Sequence, residues 1–306
     1  MIAVILAIAA SMSVGVWAER RWGGRAGIFA RRALLFVLYV VLPPVTFFNL
    51  ARAHIDLDAG VGVALAWVAL ALAALFTWFI GARVLRLSRP SVGSMICCTL
   101  VANTAYLGYP MVAVLLGLDH LSRAVVYDVL VASPALLLGA FSVGAAFGDS
   151  AGSGVGERVR AFFTRNPPLY AAGLALIAPD ALAPDVLVDA SRIAIVAILP
   201  LGFFAVGAAL TEEADEGALP IPPPLERPVA ATVAIRLAVA PGLLFLLALP
   251  LIDLPAPYLL LAAMPCGINT MIVTHAYGLD LRITAESVAW STAVAVVVAA
   301  IAALAF

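Results

Sequence analysis

Ten separated runs of about twenty apolar residues restrict the fold of this chain more severely than any other feature. They lie near 1–18, 33–51, 60–82, 91–117, 122–147, 167–184, 190–211, 229–252, 256–278 and 286–306. At about 1.5 Å per helical residue, ~20 apolar residues cross the ~30 Å of bilayer hydrocarbon. Backbone N–H and C=O groups find no partners in lipid, so spans of this length are helical. The expected fold class is therefore all-α integral membrane, with ten transmembrane helices. Apolar residues make up 64% and charged residues 11% of the chain, and its mean hydropathy is +1.11, far more apolar than 306 residues of a water-soluble protein require. No polar block of aqueous-domain size interrupts the runs. The first run has no basic residue ahead of it and is followed by Arg20 and Arg21, so it reads as a retained span and not a cleaved signal.

Charge gives the orientation. All 17 basic residues are Arg. Thirteen of them fall in alternate loops (Arg20, Arg21, Arg25, Arg31, Arg32, Arg83, Arg86, Arg89, Arg158, Arg160, Arg165, Arg227, Arg282) and three in the opposite set (Arg52, Arg123, Arg192). The positive-inside bias puts the first set in the cytoplasm and both termini outside, in an inner or plasma membrane. These Arg residues sit singly or in pairs at loop edges, so no nucleic-acid partner is expected. Cys97, Cys98 and Cys266 lie in apolar runs, read as small filler, and form no disulfide framework. No zinc-protease motif, intramembrane-protease pair or P-loop occurs, so an enzyme and a self-contained ATP-driven pump are both disfavoured, and no cofactor or metal is expected.

Internal similarity suggests a duplication. The second run contains "VLPPVTFF" and the seventh "AILPLGFF", so that Pro44 aligns with Pro200 and Phe47-Phe48 with Phe203-Phe204. The fourth run contains "ANTAYLGYP" and the ninth "PCGINT". Each match is five spans apart, an odd offset, so the halves run through the membrane in opposite senses: a 5+5 inverted repeat. The boundaries read as a first five-helix repeat over 1–147, a cytoplasmic loop over 148–166 and a second, inverted repeat over 167–306.

Pro and Gly inside the fourth and ninth runs release backbone groups that hydrocarbon cannot satisfy, and such breaks persist only against protein or a water-filled cavity. Asn103 lies ~18 Å from the cytoplasmic start of the fourth helix and Asn269 ~20 Å from the outer start of the ninth, so both breaks sit near mid-depth. Crossing broken helices 4 and 9 would make a solute site from Asn103, Thr104, Gly108 and Pro110 on one side and Pro265, Gly267, Asn269 and Thr270 on the other. Half-helix N-termini carry partial positive charge and free N–H groups, which suits a small anion. Pro110 is expected to open the second half of the fourth helix and Asn269 to cap the second half of the ninth.

The same segments resemble the auxin efflux carrier (PIN-like) family. "ANTAYLGYPM" is similar to that family's fourth-span segment, and "MPCGINTMIVTHAYGLDLRITAESVAWSTAVAVV" to its ninth-to-tenth-span signature, through Pro265, Asn269, Thr270, Ala276, Tyr277, Gly278, Asp280, Ala285, Ser287, Val288, Ser291 and Thr292. Ala102, Met271 and His275 depart from the pattern. The resemblance implies the fold of bile-acid symporters, with scaffold helices 1, 2, 6 and 7 and transport helices 3–5 and 8–10. It implies secondary transport of a small organic anion such as auxin, malate or malonate. An elevator-like alternating access is the expected movement, and a homodimer through the scaffold helices is the assembly the resemblance leaves room for. A sodium- or proton-coupled symporter or antiporter is the alternative. A membrane sensor or enzyme is a distant third.

Ionisable groups inside spans cost about 2.5–3.5 kcal/mol each on insertion scales and call for a reason. Asp128 and Arg236 sit ~9 Å apart along the membrane normal and are read first as a structural ion pair or snorkelled charges, then as a proton- or ion-coupling site, then as a substrate contact. His275, two turns after Asn269, is a weaker proton-coupling candidate. Thr46, Asn49, Ser133 and Ser291 are lesser polar candidates, His54 and His120 are read as idle loop residues, and Glu286 is read as solvated.

Overall fold

A computed structural model describes residues 2–52, 57–149, 167–215 and 223–305. The described residues are 84% helical, and no strand occurs among them. Among the described residues, five helical stretches are long and apolar enough to cross a membrane: Leu57–Val84, Leu118–Phe147, Asp185–Ala205, Arg227–Ala248 and Leu281–Ala299. The loop expected over 148–166 lies almost wholly outside the described residues, as do Arg158, Arg160, Arg165 and His54.

The chain begins with α1 (Ile2–Trp22) and α2 (Arg25–Phe36), joined at a tight corner. Glu19, 2% exposed, accepts from the Gly24 and Gly27 N–H groups there, so a buried carboxylate satisfies donors at the start of α2. A wide turn, Val37–Val41, leads into α3 (Leu42–Ala51), whose first turn accommodates the proline pair because Pro needs no N–H partner at that position. Next come α4 (Leu57–Phe79), α5 (Arg89–Leu100), α6 (Tyr109–Leu115), α7 (Leu121–Tyr127) and α8 (Phe141–Phe147). The second half holds α9 (Pro167–Ala175), α10 (Asp185–Asp215), α11 (Arg227–Ala234), α12 (Ala240–Ala248), α13 (Ala256–Ala262), α14 (Thr270–Tyr277) and α15 (Leu281–Ala305).

Two sets of neighbours emerge from the packing. The helices α1, α2 and α3 lie on α10, and α9 lies on α3. A second set joins α4 to α5 and α12, α5 to α8, and α11 and α14 to α15. Small residues make the α1–α10 contact possible. A Cβ on Gly15 would stand 2.2 Å from the Phe204 carbonyl oxygen, and one on Gly207 would stand 2.2 Å from that of Met12. Backbone therefore meets backbone in both directions, the small-residue packing that membrane helices use in place of a hydrophobic driving force. The sets touch where α10 meets α6 and where α3 meets α7, beside the place where two helices are interrupted.

Candidate functional site at the crossing of two broken helices

α5 starts on Ser88, whose hydroxyl accepts from Ser91 N–H at 3.4 Å, and runs to Leu100. Val101 then turns to extended backbone (φ −98°, ψ 110°) and Asn103 takes φ −83°, ψ 66°, so the helical ladder stops. It resumes at Thr104 through a wide turn, Thr104–Gly108, closed by Gly108 N–H donating to the Asn103 carbonyl at 2.9 Å. The second half therefore opens six residues earlier than Pro110, which instead sits buried in the first turn of α6. Asn103 is the reason: its backbone leaves the helical region, and its carbonyl already accepts the first bond of the new half.

The other interruption follows α13. Its helix ends at Ala262, the chain runs without helix through Met264, Pro265 and Cys266, and α14 begins at Thr270. The two breaks meet as a two-bond antiparallel bridge between Ala102 and Cys266. Asn103 N–H donates to the Pro265 carbonyl at 2.9 Å, and Gly267 N–H to the Val101 carbonyl at 2.8 Å. Ser291 of α15 accepts from Cys266 N–H at 3.1 Å. Backbone freed from one helix is thus satisfied by backbone freed from the other. Gly267 permits the approach, since a Cβ there would lie 2.9 Å from Val101 Cγ1 and 3.1 Å from the Ala102 oxygen. Gly108 plays the same part against α13, where a Cβ would lie 2.5 Å from Leu261 Cδ2.

Arg236 holds the underside of this crossing. It is 1% exposed and gives three bonds to carbonyl oxygens: Nε to Met264 at 2.9 Å, Nη1 to Thr99 at 2.8 Å and Nη2 to Ala262 at 2.6 Å. Those carbonyls are the unsatisfied ends of α5 and α13, where the helix dipoles place partial negative charge. One guanidinium therefore caps two half-helices. Among the described residues no ion pair joins Arg236 to Asp128, contrary to the structural pair considered from sequence. Each guanidinium nitrogen instead donates to a carbonyl oxygen.

Asp128 has partners of its own. It is 7% exposed and accepts from the Thr104 hydroxyl on one oxygen and from the Tyr109 hydroxyl on the other, at 3.0 Å for the latter. A cavity of about 120 Å³ lies beside it, walled by Asn103, Thr104, Asp128, Ser133, Gly267 and Asn269 together with apolar side chains such as Leu42 and Leu136. Asn103 is 5% exposed, and its Oδ1 has no hydrogen-bond partner. Asn269 makes no capping bond with its side chain. The Thr270 and Met271 N–H groups turn instead to Gly267 and Ile268 at 3.0 and 3.1 Å, because Thr270 also anchors its hydroxyl on Gly267 O at 2.6 Å.

Of the residues singled out from sequence, Asn103, Thr104, Gly267, Asn269 and Asp128 line the cavity; Gly108, Pro110, Pro265, Thr270 and Arg236 build the frame around it. His275 is exposed on α14 and stands away from the cavity wall. Ser133 lies on that wall, whereas Asn49 works between α3 and α10, donating to Ser191 at 3.1 Å and accepting from Arg192 at 3.4 Å. Glu286 is not solvated: its side chain is 1% exposed and Arg282 bonds it at 2.9 Å. Tyr109 as a partner of Asp128, and the double cap by Arg236, had no signal in the sequence beyond the residue types.

The signature after the second break also has a physical reading. Gly278 ends α14 in the left-handed region (φ 65°, ψ 40°), where a Cβ is costly. Asp280 then caps α15, accepting from Ile283 N–H at 3.2 Å, and receives the Ser91 hydroxyl of α5 at 2.7 Å.

No curated protein matches the chain. The family model Mem_trans, membrane transport protein, matches residues 159–302, a stretch that takes in α9 to α14 and most of α15 and includes the second helix break. That family is the auxin efflux carrier/PIN-like group to which the two motifs pointed. It is a family of transporters and not of enzymes. Over residues 159–302 the protein, several of whose described helices are apolar enough to cross a membrane, is similar to the Mem_trans family of membrane transport proteins.

Proposed function

We propose that the protein is a secondary carrier of a small organic anion, held where the two interrupted helices cross and moved by alternating access. The observation that carries this reading is the buried Asn103 amide, whose Oδ1 is unpartnered on the wall of a cavity formed by the crossing. The amide N–H group can donate to a carboxylate, and the unpartnered Oδ1 can accept from a donor such as a solute hydroxyl. The amide itself adds no charge to the cavity wall. Asn269 supplies a second such amide from the other half. The start of the half-helix at Thr104 adds N–H groups and dipole of the favourable sign.

Size narrows the solute. A cavity of about 150 Å³ takes a ligand the size of benzene, so about 120 Å³ suits roughly five non-hydrogen atoms, nearer to malonate than to an indole carboxylate. The packing supports a division of labour, with α1, α2, α3, α9 and α10 as the scaffold and the remaining helices as the body that moves. The crossing lies wholly in the second set, and the glycine-mediated α1–α10 contact lies wholly in the first. The five-plus-five inverted repeat, the elevator-type movement and the outward termini belong to this same reading. Pro43 and Pro44 open α3, Pro200 lies inside α10, and Leu42 and Gly202 from those segments both abut the crossing.

The test is uptake into proteoliposomes holding the purified protein, using labelled malonate, malate and indole-3-acetate in parallel. Flux of at least one short carboxylate well above that of protein-free vesicles is expected, with malonate favoured over the indole. Equal flux with and without inserted protein for all three solutes would overturn the proposal.

A further inference from the structure

Resting on the anion reading above, we infer that Asp128 is the proton site of the carrier, so that anion and proton cross together. An ionisable carboxyl stands on the wall of the cavity that takes the anion, about a third of the way along the span Leu118–Phe147. At roughly 6 Å, two negative charges in a protein interior repel strongly enough to weaken binding by about 100-fold. Binding the anion therefore favours the protonated carboxyl, and protonation favours the anion by the same factor.

The surroundings of Asp128 fit that role. Its donors are two hydroxyls, Thr104 and Tyr109, and no cation pairs with it among the described residues. Tyr106 and Tyr109 face it from the second half of the broken helix, and Tyr127 precedes it in chain. Arg236 reaches Tyr127 with its field but gives its bonds to carbonyls. Arg123, His120 and Asp119 lie toward the start of its own helix, and Asp119 bonds Arg192 at 3.0 Å. Against the same turn α4 brings Trp67, whose Nε1 donates to Leu130 O at 3.0 Å, its only acid being Asp58 at the far end. Tyr170 of α9 is 55% exposed, and the turn Ala135–Ala140 carries no ionisable residue. Tyr258 of α13 packs on Tyr127 and donates its hydroxyl to the Ala59 carbonyl at 3.3 Å.

A second feature points the same way. Asn103 Oδ1 is an acceptor without a donor on the same wall, and a protonated Asp128 would add a donor to the cavity that both residues line. Thr104, which bonds Asp128, is the residue next to Asn103, so proton and anion would be sensed within one peptide unit. The balance is simple. A proton leaves water on the entry side for the Asp128 carboxylate, travels as the carboxyl O–H, and returns to water on the exit side. A monovalent carboxylate then crosses without net charge, and malonate dianion crosses with one.

The experiment measures malonate binding from pH 5 to pH 8, and malonate accumulation under an imposed pH or sodium gradient, in wild type, Asp128→Asn and Tyr109→Phe. In wild type, apparent affinity is expected to fall by about tenfold per pH unit on the alkaline limb, and only the pH gradient drives accumulation. Asp128→Asn binds with an affinity that varies with pH only as malonate itself titrates, and loses accumulation driven by the pH gradient. Tyr109→Phe removes a donor that favours the ionised carboxylate, so its midpoint moves to higher pH; it carries the test should the Asn variant fail to insert. Binding that is the same at pH 5 and pH 8, accumulation driven by sodium, or an unshifted Tyr109→Phe midpoint would overturn the inference and leave the anion reading standing. No binding of malonate, malate or indole-3-acetate at any pH would overturn both.

Discussion

Replacing Arg236 by Met should loosen the crossing from beneath, by an amount the structure allows to be worked. Three bonds of 2.6–2.9 Å to carbonyl oxygens disappear. Bonds made by a charged donor contribute about 1.5–3 kcal/mol each, about 4.5–9 kcal/mol in all before offsets. Met has similar length and no charge, so it recovers part of the several kcal/mol that burying the guanidinium costs. A net destabilisation of the crossing of about 3 kcal/mol remains, in the range found when one partner of a buried charged contact is removed. The molecule carries its own reporters, because Cys98 and Cys266 are both 0% exposed at this place. They react with a maleimide only when the crossing opens. About 3 kcal/mol raises the open population, and with it the labelling rate, by roughly 100-fold. The assay is maleimide labelling of membranes in a Cys97→Ala background, with SDS-unfolded protein as the full-labelling control. Arg236→Lys keeps the charge but replaces the planar fork by a point donor, and should fall between. Rates within about threefold of the parent for both variants would refute the assignment of Arg236 as the clamp of the two half-helices.

Two further outcomes follow from the packing. Gly207→Ala places a Cβ against the Met12 backbone at 2.2 Å, so α1 and α10 must part; a loss of about 1–3 kcal/mol is expected, read as a lower melting temperature in detergent, and an unchanged melt would contradict the close approach. Asp280→Ala removes the cap of α15 and the Ser91 tie, at a cost of about 2–3 kcal/mol, and Asp280→Asn should recover most of it; equal stability of all three proteins in the same melt would show that the contact is incidental.

Much of the site was legible because Pro and Gly are conspicuous inside apolar runs. "ANTAYLGYP" and "PCGINT" mark chain that cannot remain helical, and both interruptions fall on those strings. The exact restart was not legible. A proline at position 110 suggests where a helix can begin, yet the helix begins at Thr104 because Asn103 offers its own carbonyl to a wide turn. The role of Arg236 was hidden for a different reason: its partners are backbone carbonyls, which every residue possesses and no string advertises. Depth in the membrane put Asp128 and Arg236 within reach of each other, but depth says nothing of direction around a helix, and the two turned to different neighbours. Glu286 was misread as solvated because its position at a span end outweighed the Arg282 four residues before it, which pairs with it on the same face.

Equilibrium binding of malonate to wild type, Asn103→Ala and Asn269→Ala tests the central claim most directly. Both amides lie on the wall of one cavity, so each truncation should weaken binding by roughly 10- to 100-fold, the loss of one or two hydrogen bonds, while the melting temperature without malonate stays close to that of wild type. Wild-type affinity in both variants would mean that the solute is held elsewhere than at the crossing.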